Sequence, residues 1–199
     1  MQNTALPAGW RRLALADLPR ERWRNGAGWT RTIDSASQGE HIVWRVSLAE
    51  INRSAPFSLF PGMDRTAVLL QGGPLTLRSP QQHWTLQVPG DQARFPGEWA
   101  LSNTAPETDA LIWNLMVRRG QAAAELVVQH RAPVELPDDG DSFTWVMRGR
   151  YRLVAPDGAD RGSLDEGEGL HSRKTQDVQG CWTLNPASPD ACLLRTHIL

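Results

Sequence analysis

Short apolar runs, cut at close intervals by glycine and proline turns and free of long amphipathic helices, limit most strongly what this chain can fold into. His41–Ile51 and residues 66–77, 83–88, 110–117, 125–129, 142–154 and 181–184 read as strands. Between them lie Phe60-Pro-Gly-Met-Asp64, Gln71-Gly-Gly-Pro74, Val88-Pro-Gly-Asp91, Pro137-Asp-Asp-Gly-Asp141 and Pro156-Asp-Gly-Ala-Asp160. In each, glycine permits positive φ, proline fixes φ, or aspartate bonds nearby backbone. Residues 13–22 alone suit a short helix, and 118–126 read as a bridge or a brief helical turn. The rhythm predicts an all-β sandwich or barrel.

A repeat refines this expectation. Leu69-Leu-Gln-Gly72 is answered by Val146-Met-Arg-Gly149, and Val88-Pro-Gly-Asp91 by Asp165-Glu-Gly-Glu168, at the same offset. Each copy reads strand, glycine turn, strand, turn, strand, glycine-acid turn. Two such copies predict two double-stranded β-helix (cupin-like) barrels in one chain, a bicupin arrangement. The expected division is residues 1–120 for the first barrel and 121–199 for the second.

Composition excludes several classes. A net charge of −1 gives no global field for nucleic acid or an anionic membrane. No apolar run reaches the length of a membrane span, and the start of the chain lacks a charged-then-apolar leader, so a cytoplasmic protein is expected. Cys181 and Cys192 have no metal-motif spacing and read as two buried or idle thiols; a disulfide between them is open but unneeded in a chain this long. Nine tryptophans against one tyrosine point to flat side chains filling a wide barrel or lining a pocket, with a homodimer surface as the rival use.

Metal chemistry is not expected. A metal-binding barrel of this kind needs clustered histidines with a nearby glutamate, whereas His41, His83, His130, His171 and His197 are scattered. No cofactor is implied, and nucleophilic catalysis has no local signature: neither a Gly-x-Ser-x-Gly elbow nor a Cys-His pair stands in the sequence.

Four segments carry the polar residues that could build a site. In Trp23-Arg-Asn-Gly-Ala-Gly-Trp-Thr-Arg-Thr-Ile33, Gly26 and Gly28 allow a tight turn. The stretch is either a turn into an edge strand or a flap offering Asn25 and Thr30 to a ligand. In Trp44-Arg-Val-Ser-Leu-Ala49, alternation sets Arg45, Ser47 and Ala49 on the face opposite Trp44, Val46 and Leu48. A strand arginine must reach solvent or an anion, so Arg45 is either solvated or a carboxylate partner. Pro56-Phe-Ser-Leu-Phe-Pro-Gly-Met-Asp-Arg65 supplies Phe57, Phe60, Asp64 and Arg65, with Asp64 either orienting Arg65 or capping a turn. In Trp113-Asn-Leu-Met-Val-Arg-Arg119, Asn114, Met116 and Arg118 share one strand face, pocket-lining or solvated.

Taken together these segments resemble the HutD/Ves family. The matching stretches are Trp23–Arg31, Trp44–Ala49, Pro56–Arg65 and Asn114–Arg119, in the family's order and spacing. The resemblance implies a bicupin fold in a bacterial protein that accompanies histidine degradation, with a regulatory role through binding a pathway metabolite and no established catalytic activity. Ile112 stands where the family usually carries an aspartate, and Ala27 where glycine is common. The expected function is metal-independent binding that senses or buffers a carboxylate intermediate of histidine breakdown, of the urocanate, formylglutamate or formiminoglutamate type. The alternative is a metal-independent isomerase or hydrolase acting on such a compound, with Asp64 the nearest general base.

Overall fold

The computed structural model describes residues 6–23, 26, 28–137, 139–173 and 180–199. These residues form an all-β structure whose only helical element is the single 3₁₀ turn Leu15–Asp17. Residues 13–22 therefore do not form the expected helix. Arg11–Ala14 is a strand paired with Glu168–Arg173, the turn follows, and Glu21–Arg22 is a second short strand. Strand pairing buries Leu13, and Leu18 is buried just beyond the turn, so tertiary packing overrides local helix propensity. Among the described residues no helix is long and apolar enough to cross a membrane.

The chain divides into two compact units. One is Leu18–Ala123; the other joins the segment ending at Asp17 to Ala124–Leu199. The later division lies close to residue 120, but Arg11–Ala14 belongs with the second unit because its partner strand is there.

The Leu18–Ala123 unit has two antiparallel sheets. The six-stranded one runs Glu21–Arg22, Trp29–Gln38, His41–Ile51, Thr108–Arg118, Met63–Gly73, Gln92–Pro96. The four-stranded one runs Ala55–Pro56, Ser102–Asn103, Leu75–Arg78, His83–Leu86. Ala49, Ala67, Leu69 and Ile112 of the larger sheet pack with Leu75, Leu77 and Leu86 of the smaller in one core. The expected strand 66–77 is cut in two at Pro74, which has no N–H for the ladder and follows a cis peptide bond.

The other unit repeats this construction. Its five-stranded sheet runs Arg11–Ala14, Glu168–Arg173, Asp141–Arg148, Cys192–Ile198, Ala124–His130, and its four-stranded sheet Val134–Leu136, Trp182–Pro186, Arg150–Val154, Asp160–Asp165. Val146, Leu170, Leu193, Tyr151, Leu153 and Leu184 form its core. The expected closed barrels are not seen in the strand pairing: each unit is two open sheets sharing a core. Five of the nine tryptophans, Trp10, Trp44, Trp113, Trp145 and Trp182, are buried, and no tryptophan is among the exposed large hydrophobics. The two cysteines form no disulfide; Cys192 is buried and Cys181 is exposed.

The glycine pairs found in sequence occupy matching places. Gly72 lies at the end of the strand Met63–Gly73 and Gly149 directly follows the strand Asp141–Arg148, at φ +74° and +73°, and Gly90 and Gly167 also have positive φ. A Cβ on Gly72 would run into the Asp109 carbonyl oxygen, whereas one on Gly167 would meet nothing. Both substitutions by alanine carry a left-handed-backbone penalty of roughly 1–2 kcal/mol, and only Gly72→Ala adds a backbone clash. Chemical denaturation is expected to show Gly72→Ala clearly less stable than Gly167→Ala. Equal losses would mean that Asp109 moves aside freely.

Candidate functional site

One cavity, of about 420 Å³, opens in the Leu18–Ala123 unit, between the large sheet and the segment after Pro56. Its floor is built by strand register. Ser47 pairs with Asn114, and Asn114 with Ala67; one two-residue step along, Arg45 pairs with Met116, Met116 with Arg65, and Arg65 with Phe95. Residues at successive even steps share a sheet face, so Arg45, Ser47 and Ala49 line the cavity together, as alternation predicted. Trp44, Val46 and Leu48 on the reverse face are buried as well, so the strand His41–Ile51 meets packed groups on both sides.

Arg65 is the centre of the site. It is 5% exposed, and its guanidinium lies 5.4, 5.3 and 5.1 Å from the rings of Phe57, Phe60 and Phe95. It donates from Nη1 to the Ser58 carbonyl oxygen at 3.2 Å and from Nη2 to Asn114 Oδ1 at 3.0 Å. Its Nε is buried without a partner. Burial, with a smaller contribution from the Arg45 charge, pushes its pKa down to about 10. Arg45 donates from Nη2 to Thr32 Oγ1 at 2.7 Å, and its Nε too is buried and unpartnered. Among the described residues neither guanidinium is in an ion pair with a carboxylate. Arg45 and Arg65 thus share the cavity floor with no carboxylate bonded to either among the described residues, while Glu21 stands on the wall at the mouth.

The hydroxyls beside them are held in one sense. Asn114 accepts from Arg65 through Oδ1, which leaves Nδ2 to donate to Ser47 Oγ at 3.3 Å. Trp23 Nε1 donates to Thr30 Oγ1 at 2.7 Å. That contact requires Gly28, because a Cβ there would lie 3.0 Å from both the Trp23 ring and the Glu50 carbonyl oxygen.

Of the residues singled out in sequence, Thr30, Arg45, Ser47, Phe57, Phe60, Arg65, Asn114 and Met116 line this cavity. Asn25 lies outside the described residues. Asp64 is not on the wall: it is exposed, on the strand face opposite Arg65, and pairs with Arg119 at 2.8 Å. It therefore neither orients Arg65 nor stands where a general base for a cavity ligand would be. Arg118, at the end of its strand, donates from Nε to the Ile42 carbonyl oxygen at 2.7 Å and does not line the cavity. Sequence reasoning passed over Glu21, Arg22, Trp23, Ile42, Ser58 and Phe95, all of them wall residues. Ile112 is 2% exposed and joins the wall to the core, so no carboxylate stands at that position. No three His, Cys, Asp or Glu side chains gather in a metal-binding group among the described residues.

The fold is cupin-like. A cupin 2 conserved barrel domain protein from Leptotrichia buccalis superposes with a TM-score of 0.58 at 12% identity, covering 95% of this chain and 96% of that one. The structure of HutD from Pseudomonas fluorescens superposes with a TM-score of 0.76 at 19% identity, over 96% and 99% of the two chains. The Protein Ves of Citrobacter koseri is 30% identical over 185 residues, 91% of this chain and 90% of that protein. The HutD family model matches residues 15–186, and the chain belongs to the HutD family.

Proposed function

We propose that this protein binds a small carboxylate in the arginine-floored cavity, and that it does so to sense or buffer an acid intermediate of histidine utilisation, the process with which HutD proteins are associated. Each unit is read as one open cupin-type barrel, only the Leu18–Ala123 unit holding the ligand. The observation that carries the reading is the pair Arg45 and Arg65, facing one cavity with no carboxylate bonded to either guanidinium among the described residues. A buried guanidinium left unpaired is unfavourable, and a carboxylate entering the cavity supplies the missing charge and accepts directed N–H bonds. The three phenylalanine rings keep water from the cation and offer an apolar wall to the rest of the ligand.

Titration calorimetry with urocanate and its neutral amide tests the proposal. Hydrogen bonds to charged groups contribute roughly 1.5–3 kcal/mol each, so the acid is expected to bind roughly ten- to a hundred-fold more tightly than the amide. Arg65→Ala is expected to erase that preference. Equal affinity for acid and amide in the parent protein, or an unchanged preference in Arg65→Ala, overturns it.

A further inference from the structure

The wall has a second polar end, and its hydrogen-bonding sense is fixed by donors that cannot turn round. Trp23 Nε1 is only ever a donor, so Thr30 Oγ1 accepts from it, and the Thr30 hydroxyl proton has no acceptor among the described residues. Thr30 therefore presents an O–H to the cavity it lines. Directly across the ladder from it stands Glu21, also on the cavity wall, at the exposed mouth. Directly opposed residues in an antiparallel pair carry their side chains on the same face, about 5 Å apart at Cβ. The mouth thus offers one donor beside one carboxylate acceptor; Arg22, the next residue along the strand and also on the wall, is turned to the Gly26 carbonyl oxygen and the Trp29 ring.

The separation of the two ends also follows from register. The guanidinium groups of Arg45 and Arg65 reach Thr32 and Asn114, which lie on the cross-strand level of Ser47. Thr30 sits on the level of Ala49, one two-residue step away, which is about 7 Å along a strand.

We propose, building on the carboxylate reading above, that the ligand is an acid carrying a neutral carboxamide-type group roughly 7 Å from its carboxylate. The carboxylate meets the arginines, the carbonyl oxygen of the amide accepts from Thr30, and the amide N–H donates to Glu21. A second carboxylate at that end satisfies Thr30 but is repelled by Glu21, and an alkyl end leaves both groups without a partner.

Three ligands of nearly equal shape separate these cases: 5-amino-5-oxopentanoate with an amide end, glutarate with a second carboxylate, and 5-methylhexanoate with an alkyl end. Calorimetry on the full chain is expected to rank the amide acid first, roughly ten-fold ahead of each of the others. Glu21→Gln is expected to raise glutarate to the level of the amide acid. Thr30→Val is expected to cancel the amide acid's lead over 5-methylhexanoate, while Thr30→Ser, which keeps the hydroxyl, retains it. Equal binding of all three acids overturns this inference and leaves the carboxylate reading standing. If none of the three binds while the protein melts cooperatively, both fall. A Thr30→Val protein that keeps the full lead of the amide acid also overturns the mouth assignment, whatever its stability.

Discussion

Replacing Arg65 by methionine is expected to leave a folded protein of near-parental stability that has lost the pocket's affinity for acids. The side chain is enclosed by Phe57, Phe60 and Phe95, a box that suits an unbranched thioether of similar length and favours sulfur–aromatic contact. Two opposed changes set the stability. The variant gives up the bonds to the Ser58 carbonyl and Asn114 Oδ1, leaving the latter short of a donor, at about 1–3 kcal/mol. It also removes a charge whose pKa burial has pushed down to about 10. At neutral pH that group is still protonated, so the parent fold carries a desolvation cost on the order of 3 kcal/mol, present at any pH below about 10. The two nearly cancel, and the melting temperature of the ligand-free variant should stay close to the parent's. Binding has no such compensation: loss of the best-enclosed cation should weaken urocanate roughly ten- to a hundred-fold and abolish its thermal-shift effect. A variant that melts far below the parent would instead make Arg65 a staple for the Ser58 segment, and its buried charge would need no ligand.

Strand periodicity made part of this site legible in advance. The alternation in residues 44–49 put Arg45, Ser47 and Ala49 on one face, and all three line the cavity. The same rule, applied to Asp64 and Arg65, places neighbours on opposite faces, and the structure sends Asp64 outward to Arg119 while Arg65 turns inward. Arg118 follows Asn114 and Met116 in phase but sits where the strand ends, and the Ile42 carbonyl takes its Nε. Phase alone does not tell how far along a strand a cavity extends. Phe95 was invisible for a different reason: it reaches the cavity only through the pairing of Arg65 with Phe95, a register that no local pattern announces. Trp23 had a faint signal in Gly28, the residue that lets its ring approach the backbone so closely. The long strand Trp29–Gln38 is legible only as an edge strand that the glycine turn could lead into, because Ile33 is its only buried residue; it is held by ladder bonds to strands on both sides rather than by an apolar stripe. The glycine repeat was legible because positive φ at Gly72 and Gly149 is a backbone requirement that sequence records directly.

Asn114→Asp should reach the same loss of acid binding as Arg65→Met by the opposite route, closing the site by giving Arg65 a partner of its own. The side chains are nearly isosteric, and Asn114 Oδ1 already accepts from Arg65 at 3.0 Å. The substitution converts a neutral acceptor into an anion at hydrogen-bonding distance from one guanidinium, with Arg45 on the adjoining strand. A buried ion pair usually gains little because both ions must be desolvated. Here Arg65 is already desolvated in the parent, so only the incoming carboxylate adds a new penalty, and it meets a charge in place. Its second oxygen replaces the Nδ2 that donates to Ser47, and the Ser47 hydroxyl can turn to donate to it. The ligand-free variant is therefore expected to melt above the parent. Its affinity for urocanate should fall on the order of a hundred-fold, equivalent to roughly 2.7 kcal/mol, because Arg65, the enclosed cation, already has an anionic partner. Binding of the neutral amide should change far less, so the preference for acid over amide disappears. Calorimetry and thermal melts on one preparation read both effects. Undiminished urocanate binding in Asn114→Asp would show that the acid docks away from Arg65, and the carboxylate assignment of this cavity would be lost.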